Sequence, residues 1–131
     1  METTKIKSDL RNISLLIAED GEDIINIMDR TFQMLVKDIY LAKDGKEGFE
    51  LFKNNSIDVV ITDLRMPNMN GVELIKAIRQ INQEVKIIVI SAYKEDLPQE
   101  QANMVSAVFE KPINFIKLVN ELDVCVQDLS K

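Results

Sequence analysis

A small set of polar residues each stands directly after a short apolar run, where a buried strand would end. The set comprises two adjacent acids, Glu19 and Asp20, a third acid at Asp63, a hydroxyl at Ser91 and an ammonium group at Lys111. Crowded carboxylates repel one another, and a hard divalent cation relieves that repulsion. Oxygen ligands suit Mg2+, which takes few carboxylates and keeps several waters. The set therefore predicts a magnesium site beside a hydroxyl and a cation.

Within this set, Asp63 is the residue best placed to act as a nucleophile. A carboxylate next to a metal ion can attack phosphorus and form an acyl phosphate. The metal ion and Lys111 would neutralise charge on the phosphoryl group, and the Ser91 hydroxyl would donate a hydrogen bond to it. The backbone carbonyl of Arg65, two residues after Asp63, can reach the same cation. These residues predict a phosphoryl-transfer site centred on Asp63.

Composition excludes several classes of protein. A chain of 131 residues fits one domain, and its net charge of −6 argues against a nucleic-acid-binding surface. The sequence contains no histidine, so phosphohistidine chemistry and histidine metal ligands are excluded. No apolar run reaches the roughly 18 residues of a membrane span, and the single cysteine cannot form an internal disulfide. We therefore expect a cytoplasmic protein that binds neither nucleic acid nor membrane.

The apolar pattern shows which elements must position these residues. Three nearly continuous apolar runs without alternation predict strands buried on both faces, at 13–18, 57–62 and Lys86–Ser91. Two weaker strands are predicted at 39–42 and Ala107–Glu110. The carboxyl ends of parallel strands lie at one edge of a sheet, so the polar set would meet there.

Helical patterns lie between the strands. The first has an apolar stripe from Ile24 to Val36, and the last covers 114–129. Two others begin near Asp44 and at Gly71. The interval 94–106 has only a thin apolar stripe, in which Pro98 would occupy the first turn of a short helix.

The alternation of strand and helix, repeated five times, predicts an α/β fold. We expect a flavodoxin-like, doubly wound (βα)5 sandwich of three layers, with a five-stranded parallel sheet of order 2-1-3-4-5. In that order a crevice opens between strands 1 and 3, where the three acids would meet. Pro67 and the Asn70-Gly71 turn would let the chain leave the third strand and enter the next helix.

Taken in order, these features resemble the response-regulator receiver domain of two-component signalling, which is related in fold to the chemotaxis regulator. The shared elements are Glu19-Asp20, the sequence DLRMPNMNG beginning at Asp63, Ser91-Ala92 and Lys111-Pro112. The resemblance covers about residues 11–129. We therefore expect a receiver domain at 11–131, preceded by an N-terminal extension at 1–10.

The resemblance also implies a role for each site residue. Asp63 would accept phosphate from a sensor histidine kinase or a phosphotransfer protein, with Ser91 and Lys111 contacting the phosphoryl group. Mg2+ would be bound directly by Asp20, Asp63 and the Arg65 carbonyl, and through water by Glu19. The Lys111–Pro112 peptide bond would be cis. Such a domain is not an enzyme, apart from slow self-catalysed phosphorylation and dephosphorylation.

One departure from the family concerns the switch. Three residues before Lys111 the family usually has Tyr or Phe, which rotates inward on activation, whereas this chain has Val108. Because Val108 is β-branched and too small to swing, we expect it only to pack. The switch would run from Ser91 through Tyr93 and the segment 94–106.

The expected output surface is formed by that segment, the last strand and the last helix. It would control a downstream protein or an output domain outside this sequence, and it is also the expected surface of a homodimer.

Two other functions are alternatives to this one, and the first of them uses the same fold. A phosphorylation-independent interaction module would lack some of the acids or the lysine, and this chain has them all. A phosphatase with an Asp nucleophile, of the haloacid-dehalogenase type, needs a second acid two residues after the nucleophile. That position is Arg65, for which we expect an exposed side chain with only the backbone in use. Glu19 and Asp20 could also cap the first helix, a role that is compatible with metal binding.

Overall fold

Five strands alternate with five helices along residues 9–129, the part of the chain that the computed structural model describes. The strands are β1 (Ser14–Ala18), β2 (Asp38–Ala42), β3 (Val59–Thr62), β4 (Lys86–Ser91) and β5 (Ala107–Glu110). The helices are α1 (Glu22–Phe32), α2 (Gly45–Asn54), α3 (Gly71–Ile81), α4 (Gln99–Ala102) and α5 (Phe115–Leu129). Short 3-10 turns cover Leu10–Asn12 and Lys94–Asp96.

The strands form one parallel sheet in the order β2-β1-β3-β4-β5, which confirms the predicted fold. Side chains alternate across each strand, so each central strand feeds two cores. Leu15 and Ile17 pack with α1 and α5 on one face of the sheet. Leu16 and Val60 pack with α2 and α3 on the other face. These three layers put the carboxyl ends of all five strands at one edge.

Burial differs between the centre and the borders of the sheet. Every residue of β1 and β3 is buried, and β4 is buried except at Lys86. In β5 the residues alternate, with Phe109 turned toward the core and Val108 toward the outside. The unbroken apolar runs of the sequence therefore belong to the strands with helices on both faces.

Two helix boundaries differ from the sequence-based expectation. α1 ends at Phe32, although its apolar stripe continues to Val36, because the chain must turn there to enter β2. The amides of Leu35 and Val36 both donate to the Phe32 carbonyl in this turn, and Val36 stays buried. α4 has only four residues, and Pro98 precedes its first turn as the N-cap.

The expected N-terminal extension, 1–10, falls mostly on residues 1–8, which lie outside the described part of the chain. Leu10, the last residue of the expected extension, is within the described part and is buried in the core that includes α5. Among the helices of residues 9–129, none is both long and apolar enough to cross a membrane.

Candidate functional site

The backbone ladder continues past the ends of β1 and β3 and positions the acids. The amide of Asp63 donates to the Ala18 carbonyl at 2.9 Å, and the amide of Glu19 donates to the Ala42 carbonyl at 3.0 Å. Both acids are therefore fixed at the sheet edge by strand pairing. One carboxylate oxygen from each of Glu19, Asp20 and Asp63 lies within 4.8 Å of the other two. The crevice between strands 1 and 3 gathers the three acids, as the strand order predicts.

Lys111 is the counterion of the two buried acids. Its Nζ lies 2.8 Å from Glu19 Oε1 and 2.9 Å from Asp63 Oδ2. Glu19 is 1% exposed and Asp63 is 6% exposed, whereas Asp20 faces solvent. The lysine therefore partly offsets the charge of a cluster that a small cation could still enter.

Burial and ion pairing together set the pKa of Glu19 and of Lys111. It raises the pKa of Glu19 above its ordinary value, although hydrogen bonds from Lys111 and from the Gly21 amide oppose this effect. Burial alone would lower the pKa of Lys111, but the bonds to Glu19 and Asp63 outweigh it and the pKa is raised. Lys111 therefore stays charged at neutral pH.

Ser91 and Lys111 come from neighbouring strands. The Lys111 amide donates to the Ser91 carbonyl at 2.9 Å, so β4 and β5 deliver both residues to the same place. The Ser91 side chain is buried, and its Oγ accepts a hydrogen bond from the Tyr93 amide at 3.0 Å. The Lys111–Pro112 bond is cis, as expected. Ser91 thus lines the same cavity as Asp63 and Lys111.

The turn after Asp63 is shaped by close packing. A Cβ on Gly71 would lie 2.0 Å from the Asp63 carbonyl oxygen, so only glycine fits there. The Gly71 amide donates to the Leu64 carbonyl, and Asn70 forms a reciprocal capping box with Glu73 at the start of α3. The Asn70-Gly71 turn therefore brings the start of α3 directly against the backbone of Asp63.

The same loop is braced against α2. The Gly45 amide donates to the Met69 carbonyl at 2.8 Å, and a Cβ on Gly45 would lie 2.3 Å from that oxygen. The Asn68 amide group donates to the Asp44 carboxylate at 2.7 Å, and Asn68 has a positive φ of 67°. Met69 also packs on the α2–α3 core. The loop is thus closed off on its α2 side by backbone contact.

Similarity to known proteins agrees with this geometry. The model of the response regulator receiver domain matches residues 15–123. This chain belongs to that family. An uncharacterized response regulatory protein of Staphylococcus epidermidis is 36% identical to this receiver domain over 94 residues, which are 70% of this chain and 36% of that protein. Sporulation initiation phosphotransferase F of Bacillus subtilis is 25% identical over 107 residues, which are 80% of this chain and 86% of that protein.

Solved structures confirm the fold of the receiver domain. A response regulator receiver domain protein from Clostridium thermocellum superposes with a TM-score of 0.82 at 20% sequence identity, covering 90% of this chain and 97% of that one. The first curated relatives that the chain matches are longer proteins, of which it spans between 35% and 36%.

The Arg65 side chain has a role that the sequence analysis did not foresee. It is 60% exposed, as expected, but it is not idle, because its Nε donates to Asp96 Oδ2 at 2.6 Å. Its guanidinium also lies 3.6 Å from the centre of the Tyr93 ring, within the range of cation–π attraction. This cluster, the Arg65 clasp (Arg65, Tyr93 and Asp96), joins the two loops that flank Asp63.

The clasp borders the cavity above the phosphoacceptor candidate. That cavity has a volume of about 240 Å³, and its lining includes Asp20, Asp63, Ser91 and Lys111 as well as Arg65 and Tyr93. Arg65 and Asp96 are 31 residues apart in polar loop segments, and no pattern in the sequence indicates that they pair. Val108 lies outside this cavity, 37% exposed on the outer side of β5.

The helix-cap role for the acid pair is not what the structure shows. The N-cap of α1 is Gly21, which makes no side-chain cap bond. Glu19 instead accepts the Gly21 amide at Oε2, 2.7 Å away, while its other oxygen faces Lys111. Glu19 therefore points into the acid cluster.

Proposed function

We propose that Asp63 accepts a phosphoryl group from a sensor histidine kinase or a phosphotransfer protein in a Mg2+-dependent reaction. The observation that carries this proposal is the buried Asp63 carboxylate, paired with Lys111 at 2.9 Å and gathered with two further acids. A nucleophile held at a strand end, a fixed cation and a donor hydroxyl are the parts that phosphoryl transfer to a carboxylate needs.

The donor set fits a magnesium ion. Asp20, Asp63 and the Arg65 carbonyl would hold it directly, and these are the hard oxygen ligands that Mg2+ prefers. Glu19 would act through water, which agrees with its two oxygens being engaged by Lys111 and the Gly21 amide. When bound, the ion would supply positive charge that stabilises the negative charge of the incoming phosphoryl group.

The reaction follows from these positions. An oxygen of Asp63 attacks phosphorus, and the phosphorus–nitrogen bond of the donor breaks as its electron pair returns to the imidazole nitrogen. Lys111 then contacts a phosphoryl oxygen, and the Ser91 hydroxyl donates to another. The chain would have no separate enzymatic activity, apart from slow self-phosphorylation by small acyl phosphates and slow hydrolysis of the product.

The signal would leave through the surface formed by α4, β5 and α5. Ser91 and Tyr93 would transmit it there, with Val108 passive, to a downstream protein, an output domain or a second copy of the chain. The name of the Bacillus relative, a phosphotransferase, supports a place in a phosphoryl relay. We also propose a cytoplasmic location and a receiver domain at 11–131, after an extension at 1–10.

Phosphorylation in vitro tests the assignment. Acetyl phosphate with Mg2+ should add one phosphoryl group to the wild type and none to Asp63→Asn, as read from the intact mass. Asp23→Asn, which removes an exposed acid in the first turn of α1, is the matched control and should be modified like the wild type. If Asp63→Asn gains a phosphoryl group at the wild-type rate, Asp63 is not the acceptor. If the wild type gains none, the chain is better explained as a phosphorylation-independent module.

A further inference from the structure

The segment between β4 and β5, residues 93–106, is held very differently at its two ends. Its first residues belong to the Arg65 clasp, and its last residues pack against the end of α3. The single buried side chain of α4, in the middle, is the amide of Gln101, where an apolar residue would contribute more to packing. The attachment of this segment to the rest of the domain therefore depends mainly on the contacts at its two ends.

The end next to Ser91 is held by exposed ion pairs and by one partly buried side chain, Leu97, which packs against the α2–α3 core. Arg65 reaches Asp96 from the β3–α3 loop, and Lys94 Nζ lies 2.9 Å from Glu110 on β5. Both cations are about 60% exposed, so water and salt screen these pairs strongly. Contacts of this kind hold a resting position without resisting a competing interaction.

The end next to β5 is held by Arg79 of α3. Its Nε and Nη2 donate to the Met104 carbonyl at 3.1 and 2.7 Å, and its Nη1 donates to the Asn82 carbonyl at 3.2 Å. These bonds come from a charged, half-buried donor, so they are stronger than neutral ones. Two residues later the Ser106 amide joins the sheet through the Ile87 carbonyl at 2.7 Å.

The weak end is also the end that senses the site. The Tyr93 amide donates to Ser91 Oγ, and the Tyr93 ring carries the Arg65 guanidinium. A phosphoryl group on Asp63 that recruits the Ser91 hydroxyl would therefore disturb Tyr93 first. The disturbance would reach Met104 last, where the Arg79 bonds resist it.

We propose that Met104, held by Arg79, is the hinge of the switch. Resting on the proposed phosphorylation of Asp63, the inference is that the Arg65 clasp opens and residues 93–103 move as a strap, while Met104 and β5 stay in place. Arg79 is then a positioning residue that sets where the movement stops. Its side chain touches neither Asp63 nor any of the acids gathered around it.

Amide hydrogen exchange by NMR tests the hinge in the full chain, with and without Mg2+ and beryllofluoride. In the wild type, beryllofluoride should change the exchange of the Leu97 and Asn103 amides, both hydrogen-bonded at rest, and leave Ser106 unchanged. Two matched variants, Arg65→Met and Arg79→Met, remove one guanidinium each and keep an apolar stem. The first weakens the strap end, and the second weakens the hinge.

Without beryllofluoride, Arg65→Met should speed the exchange of Leu97 by no more than about fivefold, as expected for an exposed ion pair. Arg79→Met should speed the exchange of the Ser106 amide by about ten- to hundredfold. The reason is that the variant loses the charged hydrogen bonds to the Met104 carbonyl, which hold the chain two residues before Ser106. In Arg79→Met the beryllofluoride response should also spread into β5. Arg79→Lys, which keeps the charge but not the fork of donors, should lie between and serves if the Met variant unfolds.

The results separate two failures. Two results would overturn the hinge alone. One is a wild type in which beryllofluoride changes the exchange of Ser106 as much as that of Leu97. The other is an Arg79 variant in which the response to beryllofluoride stops at the same residue as in the wild type. A wild type that shows no change at any amide and takes no phosphoryl group from acetyl phosphate would remove the proposed function and the hinge together.

Discussion

The two sides of the sheet edge are built by different means. On the β1–β3 side, the site residues are fixed by strand pairing, buried carboxylates and backbone contacts such as Gly71 against Asp63. On the β4–β5 side, the chain leaves Ser91 into an exposed 3-10 turn held by surface ion pairs. The contrast agrees with the proposed function, in which a rigid half would fix the position of the Asp63 carboxylate and a loosely held half would move on phosphorylation.

The largest expected difference is between the buried ion pairs that Lys111 makes with the acids of the rigid half and an exposed ion pair of the loose half. Lys111→Met would leave Glu19 and Asp63 buried without a counterion, and we expect a loss of about 3–4 kcal/mol in the free energy of unfolding. Lys94→Met, which breaks only the exposed pair with Glu110, should change the free energy of unfolding far less, because water and salt screen that pair. Urea unfolding measures both. Equal losses would mean that the two halves are held with similar strength.

Two glycines probe the close packing on the rigid side. Gly71→Ala places a methyl group against the Asp63 backbone, and we expect a loss of about 3 kcal/mol because backbone has to move. Gly48→Ala in α2 meets only side chains at 3.4 Å or more, so it should be neutral or stabilise the helix by about 0.5–1 kcal/mol. Thermal unfolding of both variants decides this. Similar melting temperatures would contradict the fit argued for Gly71.

A pair of neighbouring valines, both on the β4–β5 side, compares the buried centre of the sheet with its border. Val89 in β4 and Val108 in β5 are partners across the parallel ladder, yet Val89 is fully buried and Val108 is largely outside. Val89→Ala should lower the free energy of unfolding by about 2 kcal/mol, and Val108→Ala by less than about 1 kcal/mol. Chemical denaturation at equilibrium gives both values. A larger effect at Val108 would show that the outer side of β5 is covered by another surface.

Magnesium gives the smallest expected effect and acts on the rigid half alone. At a Mg2+ concentration ten times the dissociation constant, binding should add about 1.4 kcal/mol to the stability of the wild type. Asp20→Asn should remove most of this gain, while Asp96→Asn, on the loose side, should keep it. Melting temperatures measured across a Mg2+ titration test both. An undiminished gain in Asp20→Asn would exclude Asp20 as a ligand.

The same contrast explains what could be predicted from the sequence. Strands buried on both faces produce unbroken apolar runs, so β1, β3, β4 and the polar residues at their ends were predictable. The direction of Val108 was not, because a four-residue edge strand such as β5 fixes no face by its pattern alone. The expectation that Val108 only packs stays a prediction, although its exposure makes any packing contribution small.

The contacts of the Arg65 clasp and of the Arg79 hinge could not be predicted from the sequence for a related reason. Arg65 and Arg79 are polar residues whose partners are 31 and 25 positions away, and the partner of Arg79 is a backbone carbonyl that any residue type provides. Neither periodicity nor turn chemistry records such a contact. The bounds of α4 could not be predicted either, since a helix of one turn is too short to show an apolar periodicity in the sequence.

The contact between Gly45 and the Met69 carbonyl gives the molecule a mechanical direction. It works as a stop, because the loop after Asp63 has no clearance toward α2 and any push in that direction meets backbone. In the proposed switch, a displacement at Asp63 would therefore be directed away from α2, toward Tyr93 and the strap. A change at the Asp63 carboxylate would then be transmitted to the β4–β5 side of the sheet and not to α2.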